Sequence, residues 1–205
     1  MLYEFENELG ELTSTIIADY FNFPVINRRI QVPGVGDLAP AFSLNQYEHI
    51  LQHADAGDIN IISSEDLLAE KPLVISFFDP DWSESYAELF LSILENTYHK
   101  IRGLGGELIV LTPAPVLSIA NLIRKTDASF GIYQDLGKEI AEKYGVYSSR
   151  FPAYERISGV EKDIVLPATF VVAQNRTIVY TSVDEDFDNP FAVKDLLTAV
   201  YSVKP

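Results

Sequence analysis

The stretch Lys71–Leu89, KPLVISFFDPDWSESYAEL, decides how the rest of the chain is read. Leu73 to Phe78 is a short apolar run, the pattern of a strand buried on both faces. Asp79-Pro80-Asp81 breaks it, because proline and short acidic residues favour turns. Trp82-Ser83-Glu84-Ser85-Tyr86 follows, and from Ala87 the pattern is helical. The unit is therefore strand, tight turn, aromatic residue and first helical turn.

Working towards the C-terminus, the helix runs to about Arg102 and carries Leu89, Ile93, Leu94, Tyr98 and Ile101 on one side. Gly103 and Gly105-Gly106 stop it. Glu107–Leu111 reads as a second buried strand, and Thr112-Pro113-Ala114-Pro115 leads into a helix over Val116–Lys125. Phe130–Tyr133 is a short strand. Asp135 is placed to cap a helix over Gly137–Tyr144, which Gly145 closes. Residues 146–164 read as a loop with one turn of helix. Ala168–Val172 and Thr177–Ser182 form a hairpin around Asn175. A last helix over Pro190–Tyr201 turns Phe191, Leu196, Leu197 and Val200 inward.

Towards the N-terminus, Ser63 and Asp66 have the spacing of a capping box for a short helix. Residues 45–62 form a connection with some helical character, and Gly36–Leu44 an extended segment. Arg28–Val32 suggests a short strand. Leu9, Leu12, Ile16 and Tyr20 predict an amphipathic helix over residues 3–21. We expect two parts: an N-terminal extension, 1–35, packed on the body, and one domain, 36–205. Strands alternating with helices, followed by a hairpin, predict an α/β fold with a central mixed β-sheet flanked by helices. No glycine-rich phosphate loop joins strand to helix.

The chain has 205 residues and a formal net charge of −15. That charge argues against nucleic acid and anionic membrane as partners, since phosphate-neutralising cations are lacking. No apolar run approaches the roughly 20 residues of a bilayer-spanning helix. The acidic start, MLYEFENELGELTS, lacks the order of a secretory signal, so the expected compartment is the cytoplasm. The cysteine count of 0 removes disulfides, thiol nucleophiles and thiolate metal sites together.

Few side chains suggest chemistry of their own. His49 and His53 are four apart, but no third metal ligand is near, and packing or surface roles suit them better. Asp184, Glu185, Asp186 and Asp188 could surround a calcium ion; without the glycine and final glutamate of an EF-hand loop, a solvated acidic loop is the better reading. We expect no metal and no cofactor. Ser85 with Glu88 has capping-box spacing, while Asp81 or Ser83 could cap an earlier helix start. A nucleophilic serine needs a histidine base, and His99 lies roughly 20 Å along the same helix.

Five segments in order resemble the peroxiredoxin-like (alkyl hydroperoxide reductase / thiol-specific antioxidant) branch of the thioredoxin fold. They are GDLAPAF at 36–42, KPLVISFFDPDW at 71–82, LGGELIVLTP at 104–113, GIYQDLGKEIAEKYGV at 131–146 and LPATFVVAQNRTIVYTSVDEDF at 166–187. The resemblance implies a thioredoxin-like fold from about Gly36 onward, to which the helix predicted over residues 3–21 would add an N-terminal helical extension. It also implies a reactive cysteine at the start of the helix after the first buried strand, where the helix N-terminus stabilises a thiolate. The turn positions that match are Pro80, Trp82, Ser83, Ser85 and Tyr86. Aligned without gaps, Ser83 takes the first cysteine position and Tyr86 the second; shifted by one residue, Ser85 takes the second. Both alignments put oxygen where sulfur is required. Pro167 stands where many relatives carry an arginine. Leu166-Pro167 resembles the fold's cis-proline pair, whose backbone can pair with an extended peptide.

The expected function is a redox-inactive binding module. Trp82, Tyr86, Leu166 and Pro167 would form a groove for a protein or peptide partner or a small apolar ligand, and a homodimer is a further expectation. Trp82 reads either as a half-buried cover over the turn or as a groove wall. The alternative, a thiol peroxidase or oxidoreductase, requires that Ser83 or Ser85 replace a native cysteine.

Overall fold

The computed structural model describes residues 31–45, 61–155 and 157–203. The predicted helix over 3–21, most of the strand suggested at 28–32, and the His49/His53 pair lie outside the described residues.

The strands are β1 (Ser43–Asn45), β2 (Ile61–Ser63), β3 (Leu73–Phe77), β4 (Glu107–Thr112), β5 (Gly131–Gln134), β6 (Ala168–Val172) and β7 (Ile178–Val183). The α-helices are α1 (Ser64–Glu70), α2 (Glu84–Gly103), α3 (Val116–Thr126), α4 (Glu139–Lys143) and α5 (Val193–Ser202). The main sheet has the order β5-β4-β3-β6-β7. β3 pairs in parallel with β4, and β4 with β5, while β6 runs antiparallel to both β3 and β7. The mixed sheet expected from the alternation of elements is thus present.

β3 lies at the centre, and each of its residues is buried. An apolar run without alternation is what a strand covered on both faces requires. Its one polar residue, Ser76, meets Thr169 of β6 hydroxyl to hydroxyl at 2.8 Å, so neither is left unpaired in the core. The start of β7 is covered on its outer side by the 36–39 segment: the Gly36 and Ala39 N–H groups donate to the Ile178 and Arg176 carbonyls at 2.8 Å each. This protects a sheet edge that would otherwise offer unpaired backbone.

Three local differences from the sequence reading have simple causes. β1 and β2 pair antiparallel, giving the 45–62 connection a strand at its end. α4 is short, and Asp135 caps it by accepting from the N–H groups of Ile140 and Ala141 at 3.2 and 2.9 Å. α5 begins at Val193 rather than Pro190, with Leu196 and Val200 facing the core as expected. Among the described residues, no helix is long and apolar enough to cross a membrane.

Candidate functional site

The turn after β3 is built around a buried carboxylate. Asp79 is 3% exposed. Its Oδ1 accepts from the Asp81 N–H at 3.0 Å and its Oδ2 from the Val165 N–H at 2.9 Å. Burial pushes its pKa above the ordinary aspartate value, and the two N–H donors only partly offset this. Trp82, three residues on, donates its indole Nε1–H to the Val165 carbonyl at 2.8 Å. The turn therefore holds Val165 by both backbone groups.

This tie settles the geometry of the facing loop. The Leu166 N–H donates to the Val146 carbonyl, and the Pro167 carbonyl accepts from the Asp184 N–H, both at 2.9 Å. The expected cis bond at Leu166-Pro167 is absent: every peptide bond among the described residues is trans. The trans loop is held on either side by those hydrogen bonds. Leu166 and Pro167 are buried, and the backbone flanking them is already paired. Neither residue lines the cleft beside the turn.

α2 begins at Glu84, with Ser83 as its N-cap. Ser83 Oγ accepts from the Tyr86 N–H at 3.3 Å and lies 3.4 Å from Ser85 Oγ. Of the capping alternatives, Ser83 is the one realised. The Ser85–Glu88 box does not form, because Ser85 is already inside the first turn and Glu88 pairs with Lys125 at 2.6 Å.

Trp82 is nearly buried, rather than half-buried, among aromatic rings. Its centroid lies 5.3 Å from Phe78, 5.4 Å from Tyr86 and 5.1 Å from Phe90. Tyr86 donates its phenol to Asp184 at 2.6 Å. Burial first, and then the Asp184 carboxylate, raises the phenol's pKa well above its usual value. Asp184 also accepts from the Asn189 and Asp188 N–H groups at 2.9 and 3.4 Å. It is buried, so the acidic loop turns one carboxylate inward to close on Tyr86 and leaves Glu185, Asp186 and Asp188 exposed. Among the described residues no three metal-ligating side chains stand together.

Phe187 completes the nest from the far side, 6.3 Å from Trp82 and 5.5 Å from Tyr86. Its φ of 56° is left-handed, a conformation that costs a bulky residue about 1–2 kcal/mol. The ring contacts hold it there.

A cleft of about 440 Å³ opens beside this nest, walled by Trp82, Phe187, Val160 and Ile164, with Asp81 and Ser83 at one side. Of the positions singled out in the sequence, Trp82 and Ser83 line the cleft. Pro80 is half-buried in the turn, Ser85 is exposed on the first turn of α2, and Tyr86 stands behind in the aromatic nest. Sequence reasoning did not find Asp79, Val165, Lys162 or Phe187. Asp79 carried a signal, an acid at the end of a buried strand; the others have partners more than 80 residues away and carried none. A separate groove of about 670 Å³, between the β1–β2 pair and the turn before α4, shares no lining residue with this cleft.

No thiol stands at the start of α2. The atom at the helix N-terminus is a hydroxyl oxygen, which is far less acidic than a thiol and is already engaged as a cap. The one histidine among the described residues, His99, is exposed beside Glu95 on the same helix and offers Ser83 no base.

Comparison with known proteins agrees with this architecture. The AhpC/TSA family model matches residues 35–181. The crystal structure of peroxidoxin BcpB from Mycobacterium tuberculosis superposes with a TM-score of 0.61 at 15% identity, covering 84% of this chain and 99% of that one. The mitochondrial 2-Cys peroxiredoxin from Plasmodium falciparum gives 0.60 at 15% identity, covering 82% and 93%. Mycobacterium tuberculosis AhpC gives 0.57 at 16%, covering 83% and 92%. At such identities the likeness is one of fold. No curated protein sequence matches. With the family model spanning most of the domain and a thioredoxin-like sheet beneath it, the chain belongs to the AhpC/TSA family, and it carries no cysteine.

Proposed function

We propose that this chain is a redox-inactive AhpC/TSA protein that acts by binding, through the cleft beside Trp82 and Ser83. The observation that carries the reading is the position of Ser83. Its oxygen caps α2 at the place where the family's chemistry calls for a thiolate, and the surrounding polar groups are engaged in holding the turn closed. The cleft is open, and its lining sets Trp82, Phe187, Val160 and Ile164 beside polar and charged side chains, a mixture that a recognition site can use. Tyr86 backs that lining through its ring contacts with Trp82 and Phe187, while Leu166 and Pro167 are buried and do not line the cleft. Its occupant is a protein or peptide segment, or a small apolar molecule.

The test has two parts. Purified protein should consume no hydroperoxide above the buffer rate with thioredoxin or dithiothreitol as donor; reproducible turnover would overturn the reading. A panel of basic, acidic and apolar peptides should include at least one that shifts the emission of Trp82, the chain's only tryptophan. Thiol peroxidase activity is the second reading, favoured by family membership alone. It requires sulfur at position 83 or 85, so Ser83→Cys and Ser85→Cys are its direct test.

A further inference from the structure

The Trp82 cleft combines apolar side chains with charged ones in its lining. Asp81, Glu161 and Asp186 line it, and among the described lining residues Lys162 is the one cation. Lys162 Nζ sits 2.5 Å from Asp81 Oδ1, although both side chains are more than half exposed. The cleft thus already seats one alkylammonium on a carboxylate, drawn from the protein's own loop. An exposed pair of this kind contributes little stability and exchanges readily.

The N-terminus of α2 at Ser83 works in the opposite direction, since it favours anions with roughly half a positive charge. Three full negative charges against one ammonium and that half charge still leave the cleft electronegative. The net charge of −15 extends the same sign over the molecule. The aromatic rings of Trp82 and Phe187 add apolar surface for the stem of a basic side chain.

We propose that the cleft receives a basic side chain, lysine or arginine, from a partner polypeptide, which takes the place of Lys162 on Asp81. This rests on the reading of the cleft as a binding surface. The stem lies between Trp82, Val160 and Phe187, and the cationic head reaches Asp81 with Glu161 and Asp186 around it.

The probes are tetralysine and tetraarginine, with tetraglutamate and an uncharged leucine-rich tetrapeptide beside them, titrated against the intact protein while Trp82 emission is followed. The basic peptides should give a saturable shift that weakens steeply as salt screens the charges. Asp81→Asn should weaken their binding by about fivefold or more. Lys162→Gln should tighten it, whereas Lys194→Gln, the same charge change at an exposed position of α5, should not; equal tightening by both would mean non-specific attraction and overturn the proposal. A response to tetraglutamate or the leucine-rich peptide alone would keep the cleft as a binding site but overturn its cationic specificity. Silence from all four, with circular dichroism showing folded protein, would overturn the proposal and with it the peptide-binding part of the proposed function.

Discussion

α1 and α2 both start from a serine N-cap, and the two ends are finished differently. At α1, Ser63 Oγ accepts from the Asp66 N–H at 3.0 Å, and Asp66 returns the contact by accepting from the Ser63 N–H at 3.2 Å. The box is closed within four residues of sequence. At α2, Ser83 caps Tyr86, but Tyr86 cannot answer as a carboxylate would. Its hydroxyl goes to Asp184, 98 residues away. The first helix end is finished locally; the second is finished by tertiary contacts, from Val165, Asp184 and Phe187. The start of α2 therefore depends on parts of the chain far away in sequence, through hydrogen bonds as well as ring packing.

Removing the tertiary support should therefore damage α2 far more than any local change damages α1. Trp82→Ala deletes a buried ring, its aromatic contacts and the bond to Val165, and should cost about 3–5 kcal/mol. Urea unfolding measures this directly, and a loss below that of a typical surface substitution would mean the nest contributes little. Next in size is Tyr86→Phe. It leaves the buried Asp184 with one donor fewer and should cost about 1–3 kcal/mol, with unchanged secondary structure by circular dichroism.

The caps themselves come third. Ser63→Ala and Ser83→Ala should each cost about 1 kcal/mol. The distinguishing result is the coupling. A double-mutant cycle of Ser63 with Asp66 should show a coupling energy, because each side chain bonds the other residue's backbone and Ser63 Oγ lies 2.6 Å from Asp66 Oδ2. A cycle of Ser83→Ala with Tyr86→Phe should be close to additive, since the serine contacts only the tyrosine backbone and the phenol bonds elsewhere.

The same contrast explains what could be read from the sequence. The sheet was legible because β3, β4 and β6 are apolar runs of strand length, bounded by proline, glycine or charge, and all three are central strands. Ser63 with Asp66 was legible because a local box has a fixed spacing. At the turn, only the residues within one helical turn of Ser83 could be anticipated. The partnership of Trp82 with Val165 joins positions 83 residues apart, and nothing in either neighbourhood marks it. Phe187 is harder still: left-handed backbone is announced by glycine or asparagine, not by phenylalanine. The expectation for Leu166-Pro167 came from the resemblance and not from these residues' own surroundings, and the bond is trans.

The smallest effect is the most specific, because the two helix starts should respond to pH with opposite signs. Asp66 is held below its ordinary pKa by the hydrogen bonds from Ser63. Folded protein therefore binds its proton less readily than the unfolded chain does. The stability this carboxylate contributes is present above the unfolded value and is lost as pH falls through the folded one. Asp79 is the reverse case: burial raises its pKa, so in the window above about 3.9 the folded state holds the proton more firmly. Its contribution is greatest at low pH and declines as pH rises through the raised value. Asp135 is shifted the same way as Asp79, so the wild-type curve alone cannot separate them. Asp66→Asn and Asp79→Asn can, by urea unfolding at steps between about pH 3.5 and 7. The advantage of wild type over Asp66→Asn should shrink on acidification, and its advantage over Asp79→Asn should grow. Parallel curves would mean that the buried carboxylate at the α2 turn is no more desolvated than the exposed one at α1, and the distinction between a locally finished and a tertiary-finished helix start would lose its electrostatic half.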